Sequence, residues 1–162
     1  MNHELIIKPA EVKDIQLILN FIKQLADYEK LLHTVTATEE LIAEHLFGKN
    51  AVAECVIGYY NNNPVTFALF FKNFSTFVGK PGLYLEDLFV LPEYRGYGFG
   101  KKMLFNLIKL AKDRNYGRFE WAVLDWNTPA KEFYTKLGAE LMSEWQIFRI
   151  TENKFDECLK ID

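Results

Sequence analysis

Tyr84-Leu85-Glu86-Asp87-Leu88-Phe89-Val90-Leu91-Pro92-Glu93-Tyr94-Arg95-Gly96-Tyr97-Gly98-Phe99-Gly100-Lys101 is the stretch in which residue types and spacing point most sharply to chemistry. A strand-like run ends at Pro92, and three glycines spaced two apart then lead into a segment with helical periodicity. Glycines let the backbone approach a ligand and take up torsions that other residues rarely adopt. The first N–H groups of the following helix have no intrahelical acceptor, so phosphate oxygens can fill that role, assisted by the helix dipole, Arg95 and Lys101. A tight connection without a ligand accounts for a lone glycine-rich turn equally well. The spacing narrows the choice, because it is neither the G-x-x-x-x-G-K-[ST] of a triphosphate loop nor the G-x-G-x-x-G of a dinucleotide fingerprint.

The elements that must hold this stretch in place follow from periodicity. A short strand is expected over residues 5 to 7, closed by Pro9. A helix is expected over 11 to 29, where Ile15, Ile18, Leu19, Ile22, Leu25 and Ala26 recur at helical spacing. Thr36 followed by Glu39 reads as a capping box for a shorter helix through Leu41, Ile42, His45 and Leu46 that stops at Gly48. Residues 51 to 60 and 65 to 74, rich in β-branched and aromatic types, flank Asn61-Asn62-Asn63-Pro64 as a hairpin. A third strand over 83 to 91 follows the Gly79-Lys80-Pro81-Gly82 turn. Beyond the glycines, Met103, Leu104, Leu107, Ile108 and Ala111 line a helix ending near 115 to 117. A strand over 119 to 124, a helix over 128 to 137 stopped by Gly138, and short strands near 140 to 142 and 145 to 150 complete the chain. The order β-α-α-β-β-β-α-β-α-β-β predicts an α+β (mixed α/β) fold around a central, mostly antiparallel sheet, with residues 1–162 forming a single domain.

Composition excludes several functions. With 162 residues, 49% of them hydrophobic, the chain can bury a sizeable core. Its 19 basic and 22 acidic side chains leave a formal charge of -3, which removes the electrostatic basis for strong nucleic-acid binding and mildly favours a cationic substrate. Cys55 and Cys158 form no C-x-x-C pair and read as reduced thiols of a cytoplasmic protein. His3, His33 and His45 have no metal-type spacing, so no metal is expected. No apolar run approaches the ~20 residues of a membrane helix, and neither an export signal nor an anchor is expected.

V-x-P-x-Y-R-G-x-G-x-G followed by an amphipathic helix resembles the pyrophosphate-binding motif of the GNAT acetyltransferases, and Val90, Pro92, Tyr94, Arg95, Gly96, Gly98 and Gly100 fill every position. The element order is also similar to that family's, so the resemblance covers nearly the whole chain. Within the family, Tyr84-Leu85-Glu86-Asp87, Val123-Leu124-Asp125-Trp126-Asn127 and Phe133-Tyr134-x-x-Leu137-Gly138-Ala139 resemble the diamine acetyltransferase group, which includes the spermidine/spermine and thialysine enzymes. Leu25-Ala26-Asp27-Tyr28-Glu29-Lys30 resembles the same group.

The resemblance implies transfer of an acetyl group from acetyl-CoA to a primary amine of a small molecule, thialysine-like or a di- or polyamine. It also implies a GNAT-like fold and a homodimer. For the coenzyme it implies Leu88, Phe89 and Val90 along the pantetheine arm, Arg95, Gly96, Tyr97, Gly98, Phe99, Gly100 and Lys101 at the pyrophosphate, and Asn127, Thr128, Pro129 and Ala130 as a second stretch. Tyr134 is the implied general acid, and Glu86 the proton acceptor, directly or through water. Strand alternation would send Glu86 and Asp87 to opposite faces. Tyr28, Glu29, Glu86, Asp87, Asp125, Trp126 and Glu144 are the implied substrate contacts. Met142-Ser143-Glu144-Trp145-Gln146 is shorter than the corresponding E-x-G-W segment of the polyamine-acetylating members, so contacts there do not carry over directly. Two alternatives remain beside this reading. One is acetylation of a protein lysine or N-terminus, which uses the same donor site with a wider acceptor groove. The other is a coenzyme-binding sensor without catalysis, against which the presence of Glu86 and Tyr134 weighs.

Overall fold

A computed structural model describes residues 4–161, so His3 lies outside the described residues. The chain divides into two compact units, Met1–Ala122 and Val123–Asp162, and each is described by itself.

The first unit holds a five-stranded sheet in the order β1 (Ile6–Pro9), β2 (Glu54–Tyr60), β3 (Asn63–Ser75), β4 (Lys80–Val90) and β5 (Phe119–Trp121). The first three pairings are antiparallel and β4 with β5 is parallel, so the sheet is mixed and mostly antiparallel, as expected. Asn61 and Asn62 turn the β2–β3 hairpin with φ of 48° and 63°, left-handed torsions that asparagine tolerates better than most residues.

Helix α1 (Ile15–Tyr28), entered through a 3-10 turn at Val12–Asp14, lays Ile18, Leu19 and Phe21 against Ile57, Phe67 and Phe89 of the sheet. The Phe21 and Phe67 rings stack 5.1 Å apart. Fully burying side chains of this size stabilises the fold by about 1.5–3 kcal/mol each. Helix α2 (Glu39–Ile42) adds Ile42 to the same cluster and continues as a π-helical turn, Ala43–Phe47, before Gly48. Its cap is Thr38 rather than Thr36: the Thr38 hydroxyl accepts from the Leu41 amide at 3.3 Å, and extended torsions at Thr38 place the helix start there. Helix α3 (Phe99–Asp113) packs on β3 and β4 through a buried row of Phe99, Met103, Leu104, Leu107 and Ala111.

The second unit contains α4 (Thr128–Lys136), ended by Gly138 with φ 89°, and the short α5 (Phe155–Cys158). The strands expected near residues 140 to 142 and 145 to 150 are not formed among the described residues. A strand exists only where a partner edge takes its amides and carbonyls. Here the backbone bonds are local turns, Ser143 N–H to Leu141 O and Trp145 N–H to Met142 O. The apolar alternation that suggested strands remains as exposed Leu141, Met142, Trp145, Ile147, Phe148 and Ile150. The strand expected to 124 likewise ends at Trp121.

No helix among the described residues is long and apolar enough to cross a membrane. No group of three or more His, Cys, Asp or Glu side chains among them could hold a metal ion.

Candidate active site

The site grows from an irregularity in β4. Thr66 pairs with Val90, Phe67 with Phe89, Ala68 with Leu88 and Leu69 with Asp87, but Phe70 pairs with Leu85, leaving Glu86 as an extra residue. Such a bulge breaks the period of two. Asp87 and Phe89 share a face with Leu69 and Phe67, on the side of α1, while Leu85 shares the opposite face with Phe70. Leu85 and Asp87, which a regular strand would put on one face, thus fall on opposite faces, with the break at Glu86. Glu86 is exposed at the bulge and Asp87 is drawn partly inside.

Burial pushes the Asp87 carboxyl up to about 6, reinforced first by the neighbouring Glu86 charge and then by that of Glu29. Glu29, at the C-terminal cap of α1, is itself raised by burial. Three carboxyls from the end of one helix and the bulge of one strand thus form a single electrostatic group. Bringing a cation to them relieves their mutual repulsion.

The same strand offers a free edge. Strand β5 pairs only with Leu83, Tyr84 and Leu85, so residues 86–90 have no strand on that side among the described residues. The Leu91 amide donates to Val65 O, which makes 91 with 65, and by alternation 89 with 67, hydrogen-bonded pairs. Phe89 therefore spends its backbone polar groups on β3, and the Thr66 hydroxyl also donates to Phe89 O at 2.6 Å. Leu88 and Val90 direct theirs to the open edge. Of the three residues expected along an extended ligand, Leu88 and Val90 direct backbone groups to that edge, where Val90 O already accepts from Arg95 Nε, and Phe89 does not.

At the end of β4 a 3-10 turn, Pro92–Tyr94, leads into residues 95–101. Gly96 and Gly98 have φ of 82° and 80°, and a Cβ at either would meet open space, so the torsion rather than crowding calls for glycine. Gly98 caps α3 without a side chain, and the first intrahelical bond is Lys102 N–H to Gly98 O. The amides of Gly100 and Lys101 consequently have no intrahelical acceptor, an arrangement that suits an anion. Tyr60, Tyr94, Tyr97 and Phe99 pack ring to ring about this turn, with centroids 5.2–6.2 Å apart. Tyr60 escaped the sequence reading because nothing in a hairpin strand marks it as a support for a loop more than thirty residues on.

Arg95 is exposed, yet it is held in place. Its Nε donates to Val90 O at 3.2 Å, and its guanidinium lies 4.4 Å from the Tyr28 ring centroid and 5.6 Å from that of Phe89. Through Tyr28 it connects the glycine loop to the end of α1, beside Glu29.

The remaining expected residues lie in the second unit. Asn127 caps α4 by accepting from the Ala130 amide at 3.3 Å, Thr128 donates to Trp126 O, and Pro129 has no N–H. The first turn of α4 is thus satisfied where that of α3 is open, so residues 127–130 can serve a ligand through side chains and carbonyls rather than as an anion nest. Asp125 uses its carbonyl to accept from Lys131, Trp126 is half exposed, and Glu144 is exposed. Tyr134 lies in α4 with its ring 5.5 Å from Phe133, and burial raises its phenol above the ordinary value, which keeps it protonated at neutral pH.

A mixed sheet opened beside a bulged strand, followed by an uncapped glycine turn, suits an extended ligand that ends in an anion. The chain belongs to the Acetyltransferase (GNAT) family, whose pattern it matches over residues 20–139, and it is an N-acetyltransferase of that family. That match runs across both units. The chain is 36% identical over 155 residues to the thialysine N-epsilon-acetyltransferase of Sus scrofa, covering 89% of this chain and 91% of that protein. It is 29% identical to the L-ornithine N5-acetyltransferase of Arabidopsis thaliana, covering 96% and 88%. Among solved structures, an integron cassette protein of V.cholerae superposes with a TM-score of 0.79 at 25% identity over 99% of both chains. Family membership implies acetyl-CoA as the acetyl donor. The free edge of β4 and the uncapped turn of α3 fit the extended arm and the diphosphate of that molecule.

Proposed function

We propose that residues 1–162 act as one acetyltransferase domain that moves the acetyl group of acetyl-CoA to a primary amine of a small molecule, a thialysine-like amino acid or a di- or polyamine. The observation that supports this most is the placing of Glu29, Glu86 and Asp87 beside the open edge of β4 and within one side chain of the glycine loop. The relatives that acetylate thialysine and ornithine point to the same substrate class.

The chain's residues divide the work. An alkylamine has a pKa near ~10.4, so most of it must lose a proton before it can attack. Glu86, exposed at the bulge, accepts that proton directly or through water, and Asp87 and Glu29 hold the cationic amine. The nitrogen bonds to the acetyl carbon as the carbon–sulfur bond breaks. Negative charge building on the carbonyl oxygen is met by a backbone amide on the open edge, for which Val90 is suitably directed. The departing thiolate takes its proton from Tyr134, and the second proton of the attacking nitrogen is lost as the amide forms, passing through water to restore the phenol. Burial favours the protonated form of both phenol and thiol; the latter effect is visible at Cys55, pushed up to about 12 by burial. Asp125, Trp126 and Glu144 complete the proposed acceptor contacts, and Asn127, Thr128, Pro129 and Ala130 the second coenzyme stretch.

Incubation with acetyl-CoA and a panel of thialysine, lysine, ornithine, spermidine and short diamines is expected to release free thiol with at least one amine. Silence across the panel overturns the proposal, and acetylation of proteins in an extract instead would move the acceptor to a protein lysine or N-terminus. A cytoplasmic homodimer is proposed on the family resemblance and on the apolar side chains exposed at residues 141–150, and a monomer in analytical ultracentrifugation overturns the dimer.

A further inference from the structure

We propose that Tyr28, assigned by resemblance to the acceptor, serves the donor side: its ring holds the Arg95 guanidinium ready for the coenzyme diphosphate. The inference rests on the reading of residues 95–101 as a diphosphate loop. Tyr28 is the last residue of α1, far from the loop in sequence, so nothing local requires the two to meet. They meet nonetheless, with the guanidinium 4.4 Å from the ring centroid, inside the ~6 Å range of a cation–π contact. The Phe89 ring approaches the same guanidinium at 5.6 Å, and its Nε is fastened to Val90 O at 3.2 Å.

Three consequences follow from that geometry. Arg95 sits immediately before Gly96, whose left-handed torsion starts the loop, so fixing its side chain fixes where the loop leaves β4. The Nε is engaged, while the terminal amino groups have no hydrogen-bond partner among the described residues. A guanidinium held this way can offer those two groups to an anion with less rotamer freedom left to lose than an unsupported arginine. Finally, the Tyr28 ring already has a cation against it. A substrate ammonium seeking that ring would compete with Arg95, which leaves Glu29, Glu86 and Asp87 as the acceptor's cation site.

Calorimetric titration of coenzyme A into the full chain tests this without requiring turnover. Tyr28→Leu is expected to weaken binding about three- to fivefold, the range of a partly exposed cation–π contact. Tyr28→Phe and Tyr28→Trp, which keep an aromatic face, are expected to retain wild-type affinity or better. Arg95→Gln is expected to weaken binding further, and adding Tyr28→Leu to it should produce no additional loss. Should Tyr28→Leu not fold, as judged by circular dichroism, Tyr28→Trp and the double variant Tyr28→Phe/Arg95→Gln still carry the test. Wild-type affinity in Tyr28→Leu, loss of affinity in Tyr28→Trp, or losses that add in the double variant would overturn the inference. A wild-type chain that does not bind coenzyme A overturns the donor-site reading along with it, whereas binding that ignores Tyr28 overturns the inference alone.

Discussion

The glycine loop at residues 95–101 and the carboxyl group formed by Glu29, Glu86 and Asp87 adjoin the same strand but are built in opposite ways. The loop is local: seven consecutive residues carry its positive torsions and its open amides, and side chains support it from outside. The carboxyls are collected from the end of α1 and the bulge of β4, and Glu29 joins the sequence neighbours Glu86 and Asp87 only because the sheet and helix pack as they do. A backbone device is disturbed by changing torsion, and a charge cluster by changing ionisation. The two halves of the site should therefore fail in separable ways.

The largest expected effect tests the chemistry of the cluster. Glu86→Gln should lower kcat for the best amine about 10²- to 10⁴-fold, in the range of losing a positioned base, while calorimetry finds coenzyme A binding retained. A matching collapse of coenzyme binding would mean that the two halves are not separable. The complementary change, Gly98→Val, forces a β-branched residue to φ 80° and should weaken coenzyme A binding about tenfold to a hundredfold through backbone strain. Gly98→Ala should fall between valine and wild type, and a valine variant that binds normally would show that the positive torsion is dispensable.

A smaller effect separates the cluster from the loop by pH. The Asp87 carboxyl is raised from an ordinary 3.8 to about 6, so the folded chain holds this proton more tightly than the unfolded one. Its contribution is therefore a penalty that is absent below the unfolded value, grows as pH rises through the interval, and is constant above about 6. At most this amounts to about 3 kcal/mol, and Asp87→Asn should remove that part of the pH dependence in urea denaturation. The smallest effect concerns ranking within the cluster. Because Glu86 outranks Glu29 among the charges acting on Asp87, Glu86→Gln should lower the Asp87 midpoint more than Glu29→Gln does, measurable by carboxyl NMR titration.

Legibility in the sequence followed the same division. Elements set by local pattern were readable: α1 from its apolar stripe, the β2–β3 hairpin from its asparagines, α3 from the glycines before it and the buried row within it. The loop was readable because torsion constrains residue type. The bulge at Glu86 was not, since its one-residue slip depends on how β3 and β4 pair and Leu-Glu-Asp-Leu is an unremarkable strand sequence. Thr36 and Thr38 offered the same chemistry two residues apart, and only the extended torsion of Thr38 chose between them. Residues 140–150 carry an apolar pattern without a partner strand among the described residues, and pattern alone does not make a strand. The family resemblance alone puts Tyr28 at the acceptor, and its contact with Arg95 comes only through the fold, because the two are far apart in sequence.

The margin of β4 at residues 86–90, which pairs with no strand among the described residues, has a bearing on the life of the protein before it meets a ligand. A sheet margin with unclaimed amides and carbonyls is a template for another chain, and proteins commonly protect such margins. Under the proposed function the protecting element is not encoded in the polypeptide but borrowed from the acetyl donor. Resistance to heating and to edge-to-edge association should then rise with the supply of coenzyme, by RT ln(1 + [L]/Kd). The molecules at risk when that supply falls would be those with no donor to use.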